Sequence, residues 1–475
     1  MVVGNLSEFT ETVVIGAGPG GYVAAIRLAQ LGKEVTLVHN ENLPGGVCLL
    51  RGCIPSKALI EAANFYRRLG RAADFGIEIG SAKVDWLKLL QWKDGIVEKL
   101  GKGVETLLKQ NGVATVRGTA VFEDEKTLAI QTDGGLQRLS FGKAVIAVGS
   151  RPRSLPGMNF DGELILSSDD ILRLPEIPAS LLVVGGGYIG LELGQVFAKL
   201  GSQVTIVEAL PELLSGLEGP LVRPVKRRLE ELGVEIFLKT QLESGKAQNR
   251  GVDVHLKPAE GQAFDRRFDR VLVAIGRVPN SDRIQAAKAG LKLDPKGYIA
   301  VDRRQATNLP HLYAIGDVAG GIQLAHKASR EGVVAAANIA GQPDAFDNQV
   351  PAVIFSDPEI AYVGMSESQA KEKGIETKSG MFGFGANARA MTLDDAEGFV
   401  KTVAEKKSGR LLGVQMVGPH VSDLIAEAAL ALEMGAMAED LSLTIHPHPT
   451  LSEALHEAAE SALGLSIHRY EKRGK

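Results

Sequence analysis

The chain has 475 residues, 45% of them hydrophobic and 23% charged, with a net charge of −4. That balance is ordinary for a globular protein and too long for one core, so about three domains are expected, and nothing in the charge favours nucleic acid or an anionic membrane. No run of about 18 apolar residues indicates a membrane span, and Met1–Glu11 lacks the basic and apolar regions of a signal peptide. Only two cysteines occur, which at this length excludes a secreted disulfide framework and fits a catalytic pair in the reducing cytoplasm.

The first element in chain order is the apolar run Val13-Val14-Ile15, read as a short strand buried on both faces. It enters Gly16-Ala17-Gly18-Pro19-Gly20-Gly21 and a helix from Tyr22 to Leu31. Gly16 permits a tight turn, Gly18 lets the backbone approach a pyrophosphate, and Gly21 lets the helix pack close to the strand. The phosphates then lie at the positive end of the helix dipole. A second strand, Glu34–Val38, should end in an acidic ribose ligand, but His39 stands there and Glu41 follows two residues on. Either Glu41 reaches the ribose or His39 donates to it.

The cysteines come next, in Gly45-Gly46-Val47-Cys48-Leu49-Leu50-Arg51-Gly52-Cys53-Ile54-Pro55-Ser56-Lys57. In an undistorted helix residues five apart have Cα atoms roughly 8.6 Å apart, whereas a disulfide rarely tolerates more than about 7 Å. A bond between them therefore requires a distorted helix start or cysteines that precede the helix, and suits a disulfide that opens readily. The plain alternative is two unrelated buried cysteines acting as small hydrophobes.

The strand–glycine turn–helix pattern of Thr12–Leu31 recurs at Leu181–Leu200, through Gly185-Gly186-Gly187-Tyr188-Ile189-Gly190. Its second strand, Gln203–Val207, does end in an acid, Glu208. A carboxylate there accepts from both ribose hydroxyls and repels a 2′-phosphate, selecting NAD over NADP. Two fingerprints imply two dinucleotides, FAD held in the first site and NAD exchanging in the second. Leu312-Tyr313-Ala314-Ile315-Gly316-Asp317 reads as a buried strand delivering Asp317 to a helix start, where it can bond a polyol and cap the helix. Near the C-terminus, Pro447 and Pro449 keep His448 out of a helix, and Thr450-Leu451-Ser452-Glu453 is also a capping box. His446 is the rival base, while His326 and His456 are read as structural.

Taken in order, these motifs resemble the FAD-dependent pyridine nucleotide-disulfide oxidoreductases, over essentially the whole chain. Val350-Pro351-Ala352-Val353-Ile354-Phe355-Ser356-Asp357-Pro358-Glu359 resembles the start of that family's dimerisation domain. The resemblance implies an α/β fold with two Rossmann-like dinucleotide-binding domains, for FAD and NAD, plus a C-terminal α+β dimerisation domain. The expected boundaries are 1–150 for the FAD domain, 151–280 for the NAD domain, 281–350 for a central domain completing the FAD site, and 351–475 for the interface domain.

It further implies Cys48 as the interchange sulfur and Cys53 as the flavin-side thiolate, with Lys57 near the flavin ring and paired to Glu192. His448 would be the acid–base group, oriented by Glu453 and supplied to Cys48 of the second subunit of a homodimer. The cofactor-binding set is Gly16, Gly18, Gly21, Glu41, Lys57, Gly118, Asp317 and Ala325, with Gly185, Gly187, Gly190, Glu208 and Gly276; no metal is expected. The implied activity is oxidation of protein-bound dihydrolipoamide through Cys48–Cys53 and FAD to NAD+. The alternative is NADH-dependent reduction of another low-molecular-weight disulfide. The expected partner is the lipoyl-bearing component of a 2-oxo acid dehydrogenase complex or glycine cleavage system. Leu50-Arg51 replaces the Asn-Val common in the family; Arg51 could stabilise a thiolate, attract an acidic carrier, or be an exposed arginine without a role.

Overall fold

The computed structural model describes residues 8–470. Most of the N-terminal segment considered above, Met1–Ser7, lies outside the described residues. The chain divides into two compact units, one comprising residues up to Ala62 with Ile79–Glu176 and Ile275–Asp347, the other Ala63–Glu78, Ile177–Ala274 and Asn348 onward. Among the described residues no helix is long and apolar enough to cross a membrane.

In the first unit, strand Glu8–Ile15 is buried at Val13, Val14 and Ile15, as its continuous apolar run requires in a parallel sheet. It lies between Val35–His39 and Gly135–Ile146, parallel to both. Ala114–Arg117 extends the sheet in parallel beyond Val35–His39, and Leu312–Ala314 pairs in parallel with Gly135–Ile146. The register aligns the strand ends: Ile15 pairs with Val38 and with Ile146, and Ile146 pairs with Ala314. The residues that follow, Gly16, His39, Ala147 and Ile315, therefore emerge along one carboxyl edge, where parallel α/β sheets bind ligands. Helices Pro19–Gln30 and Ala325–Ile339 pack together through small residues. A side-chain carbon on Gly332 would sit 2.6 Å from the Gly20 carbonyl oxygen.

The second unit repeats the arrangement. Strand Ser180–Val184 is flanked in parallel by Gln203–Val207 and Arg270–Val273, and Glu235–Phe237 lies outside Gln203–Val207. Val184 pairs with Val207 and Val273, so Gly185, Glu208 and Ala274 share an edge. A three-stranded antiparallel meander, Thr240–Gln248, Gly251–Pro258 and Phe264–Phe268, is inserted before the last strand. From Asn348 the chain forms a five-stranded antiparallel sheet ordered Ala352–Ile354, Glu359–Gly364, Leu411–Gly418, Phe399–Glu405, Thr377–Gly383. Helices Val421–Glu433 and Glu453–Leu463 join its core through Val421, Ile425, Ala428, Ala454, Leu455 and Ala458. The α/β class with a C-terminal α+β portion is the one expected.

Asp357 ties the nucleotide half of this unit to its C-terminal sheet. Its carboxylate meets Lys199 at 2.7 Å, Arg67 at 2.8 Å and Arg228 at 3.0 Å. Burial opposes its charge, but the Lys199 and Arg228 cations hold its carboxyl below the ordinary carboxylate range. Lys199 is nearly fully buried, and burial pushes its ammonium pKa down despite Asp357. Asp357→Ala is expected to destabilise this unit by about 3–5 kcal/mol, because it strands buried cations; the midpoint of urea unfolding measures it.

Candidate active site

The first glycine loop has the geometry a pyrophosphate needs. A side chain on Gly16 would lie 2.4 Å from the Ala147 carbonyl oxygen, so the turn admits only glycine. Gly18, the N-cap of helix Pro19–Gln30, has open space where a side chain would go, and no side chain caps the helix. The loop is thus a cradle at a helix N-terminus. At the neighbouring strand end, the His39 Nδ1 atom is buried without a hydrogen-bond partner. Burial lowers the His39 pKa, against the opposing charge and main chain of Glu41. An orphaned polar atom one strand away from an uncapped phosphate cradle fits the adenosine ribose of a dinucleotide. Gly118 donates its N–H to the His39 carbonyl at 2.8 Å, which places it at this same corner.

Across the edge, Asp317 is not the helix cap expected from the sequence. It is the second residue of the 3-10 turn Gly316–Ala319, whose N-cap is Ile315, and its carboxylate accepts from the Ser150 hydroxyl. Arg277 donates to the Ser150 hydroxyl at 2.7 Å and to its carbonyl at 2.8 Å. A buried Lys327–Glu331 pair, 2.6 Å apart, holds both ends of the turn: Glu331 accepts from Gly316 N–H and Lys327 donates to the Gly320 carbonyl. Ala325 begins the helix that carries this pair. Sequence reasoning missed Ser150, Lys327 and Glu331. No local spacing announces them, since each acts on a loop it meets only after folding.

The dithiol segment is fastened to the first loop. Gly45 N–H donates to the Ala17 carbonyl at 2.8 Å, and a side chain on Gly46 would stand 2.5 Å from the Gly18 Cα. Gly46 also has φ +61°, so both conformation and contact require glycine there. Helix Gly46–Arg51 carries Cys48, stops at Gly52, and a new helix, Cys53–Leu69, begins with the second cysteine. The distortion anticipated from the spacing is this break. It folds the chain so that the Cys48 and Cys53 side chains hydrogen-bond. That bond, reinforced by burial, pushes the Cys48 thiol well above the ordinary thiol range, while the Lys57 ammonium pulls the other way. Cys48 is half-buried and Cys53 exposed.

Arg51 is not a bare surface charge, and its ion pairs are with carboxylates. Its guanidinium lies 2.5 Å from Glu41 and 2.9 Å from Asp169.

At the second loop, Gly185 has φ +110°, Gly187 is an uncapped helix N-cap facing open space, and a side chain on Gly190 would strike the Gly185 carbonyl at 2.1 Å. Glu208 ends the strand as expected. Its two oxygens accept from Gly186 N–H at 2.6 Å and Leu210 N–H at 2.8 Å, which fixes the carboxylate at the sheet edge. Gly276, with φ +108°, accepts from Arg153 N–H. Glu192 accepts from Phe355 N–H at 2.9 Å.

The C-terminal histidines separate cleanly. His448 is 72% exposed on its side chain, and its Nδ1 lies 2.9 Å from Glu453 Oε1. Glu453 Oε2 accepts from Thr450 N–H at 2.8 Å, but Ser452 and not Thr450 is the N-cap of helix Glu453–Leu463 and no side chain caps it, so the expected capping box does not form and the carboxylate orders the preceding turn instead. Burial acts to raise the Glu453 pKa, but Thr450 N–H and His448 bring it below the usual range. An ionised carboxylate only accepts, so Nδ1 carries the proton and Nε2 is the outward basic nitrogen. His446, the rival, is 5% exposed on its side chain and uses both nitrogens, with Thr444 carbonyl at 2.9 Å and Glu427 at 2.8 Å. The Glu427 hydrogen bond raises its pKa, and it has no free nitrogen for substrate.

Residues 10–332 match the family model described as pyridine nucleotide-disulphide oxidoreductase, and residues 350–459 match its dimerisation domain. The chain is 48% identical to the dihydrolipoyl dehydrogenase of Haloferax volcanii over 473 residues, covering 98% of this chain and 99% of that one. It is likewise 48% identical to the dihydrolipoyl dehydrogenase of Geobacillus stearothermophilus over 469 residues, with 98% and 99% covered. Among solved structures it resembles LpdA from Mycobacterium tuberculosis, with a TM-score of 0.88, 27% identity and 95% and 99% coverage. The HOCl-induced flavoprotein disulfide reductase RclA of Escherichia coli resembles it with a TM-score of 0.84, 27% identity and the same coverage.

The break between the helices depends on Gly52, where a side chain would lie 2.8 Å from the Val47 carbonyl oxygen and 3.2 Å from the Cys48 Cα. Gly52→Ala is expected to separate the sulfurs and to slow disulfide closure in the reduced protein by at least about tenfold, since misplacement of about 1 Å costs up to 10²-fold. Timed titration of free thiols after oxidant addition measures it.

Proposed function

The chain belongs to the pyridine nucleotide-disulphide oxidoreductase family, and from that footing we propose that it oxidises protein-bound dihydrolipoamide to lipoamide and delivers the electrons to NAD+. The observation that carries this reading is the fastening of a hydrogen-bonded cysteine pair directly to a nucleotide-binding loop. Near-full-length relatives named dihydrolipoyl dehydrogenase support the substrate class.

The residues that would hold FAD are Gly16, Gly18, Gly21, Glu41, Gly118, Asp317 and Ala325, with Lys57 beside the dithiol. Those for NAD are Gly185, Gly187, Gly190, Glu208 and Gly276. FAD, when bound, supplies the two-electron relay between a dithiol and a nicotinamide. The protein's own work is on sulfur and protons. His448 Nε2 removes a proton from one substrate thiol, since the thiolate is the nucleophile. The thiolate attacks Cys48 Sγ in the Cys48–Cys53 disulfide, and Cys53 leaves as thiolate. The second substrate thiol then attacks the first sulfur: Cys48 leaves and takes the proton held on His448, the second thiol's proton passes to the freed His448 Nε2, and the oxidised lipoyl ring closes. Two electrons and two substrate protons have then moved onto the enzyme side, and Glu453 stabilises the imidazolium between the two transfers.

The dimerisation domain supports a homodimer in which His448 serves the second subunit's dithiol. Leu443 and Ile445, both strongly exposed in the stretch that leads to His448, supply an apolar surface for such an interface. The boundaries 1–150, 151–280, 281–350 and 351–475 remain the domain reading. A lipoyl-bearing component of a 2-oxo acid dehydrogenase complex or glycine cleavage system is the proposed partner, and the cytoplasm the proposed compartment.

Steady-state assay with NADH and NADPH, against lipoamide and glutathione disulfide, tests the reading. NADH with lipoamide should give the highest kcat/KM. A preference for glutathione disulfide would reassign the substrate, and a preference for NADPH would remove Glu208 from ribose selection. His448→Ala should lower dihydrolipoamide turnover by about 10²–10⁴-fold; near-normal turnover would dismiss it as the base.

A further inference from the structure

Arg51 lies between the two cysteines, on the same six-residue helix as Cys48. Its Nη1 meets Glu41 Oε1 at 2.5 Å and its Nε meets Asp169 Oδ2 at 2.9 Å. All three side chains are mostly buried, at 23%, 27% and 21% exposure for Arg51, Glu41 and Asp169. The far anchor is itself fixed, because Asp169 N–H donates to the Ser167 hydroxyl at 3.2 Å, and that hydroxyl donates to Asp170 at 2.6 Å. Two carboxylates therefore converge on one guanidinium that has no third role in view.

The near anchor stands where a dinucleotide fold reads ribose. That reading normally falls to an acid at the end of the second strand, a position rigid because it belongs to the sheet. Here the strand ends in His39, whose Nδ1 is buried and unpartnered, and the acid has moved two residues on, into the irregular stretch before Gly46. A glutamate on such a stretch loses side-chain entropy when it is held to a ligand. Arg51 removes that freedom beforehand. A carboxylate accepts at both oxygens, so Arg51 at Oε1 leaves Oε2 able to take a ribose hydroxyl.

We propose that Arg51 is a positioning residue for the adenosine ribose of FAD, holding Glu41 from the dithiol helix in compensation for the histidine at the strand end. Affinity for the flavin nucleotide thus depends on a residue of the redox segment that touches neither the ribose nor the sulfurs. The inference rests on the assignment of the first glycine loop to FAD.

The test is FAD rebinding to protein stripped of flavin, followed by quenching of flavin fluorescence, for wild type, Arg51→Val, Glu41→Gln and the double variant. Arg51→Val should raise the FAD dissociation constant roughly 10-fold or more, the scale of a hydrogen bond to a charged group. Glu41→Gln should do the same, and the double variant should be no weaker than Glu41→Gln alone, because the two act as one unit. Arg51→Lys should recover only part of the affinity, since an ammonium lacks the fork that spans two carboxylates. Unchanged affinity in Arg51→Val, or an equal added loss when Glu41 is already Gln, would overturn the proposal. If Arg51→Val fails to fold, Asp169→Asn carries the test: a several-fold loss supports it, and wild-type affinity overturns it. A wild-type protein that takes up no FAD would instead refute the assignment of the first loop.

Discussion

One hydrogen bond, Gly45 N–H to the Ala17 carbonyl, joins the redox segment to the nucleotide loop, and the contact of Gly46 with Gly18 beside it leaves no room for a side chain. Everything chemical in the first unit hangs from that junction. It sets where helix Gly46–Arg51 begins, hence where Cys48 stands. The break at Gly52 then returns the chain so that Cys53 meets it. A slack connection at Gly45–Gly46 would leave a dithiol and a nucleotide site as neighbours in sequence only.

The sheets supply the matching rigidity. In both parallel sheets the register brings successive strand ends to one edge, so residues far apart in the chain open onto a common face. Buried charge finishes the loops that leave those edges. Lys327 and Glu331 clamp the turn bearing Asp317, and Glu208 is held by the N–H groups of its own corner. Such pairs are costly to desolvate, so their value here is better seen as positioning than as net stability.

The histidine segment shows how one carboxylate can order a turn and a ring together. Glu453 shares its two oxygens between the Thr450 backbone and His448, which orders the turn and selects the imidazole tautomer together. His446, two residues away, is held just as firmly, but by both nitrogens and out of solvent. Position in the chain hardly distinguishes them; accessibility and unused bonding capacity do.

The amino-acid sequence by itself determined the two strand–glycine–helix units, their acidic or missing-acid strand ends, and the cysteine pair with its need for a distorted helix. These are legible because each depends on residues within about one or two helical turns, where backbone sterics and periodicity act directly. Only the tertiary structure decided that Asp317 bonds Ser150 instead of capping a helix, that Gly52 makes the break, and that Arg51 joins Glu41 to Asp169. Ser150 and Asp317 are 167 residues apart, and Arg51 and Asp169 are 118 apart. Contacts across such separations follow from sheet register and loop packing, which no local pattern encodes.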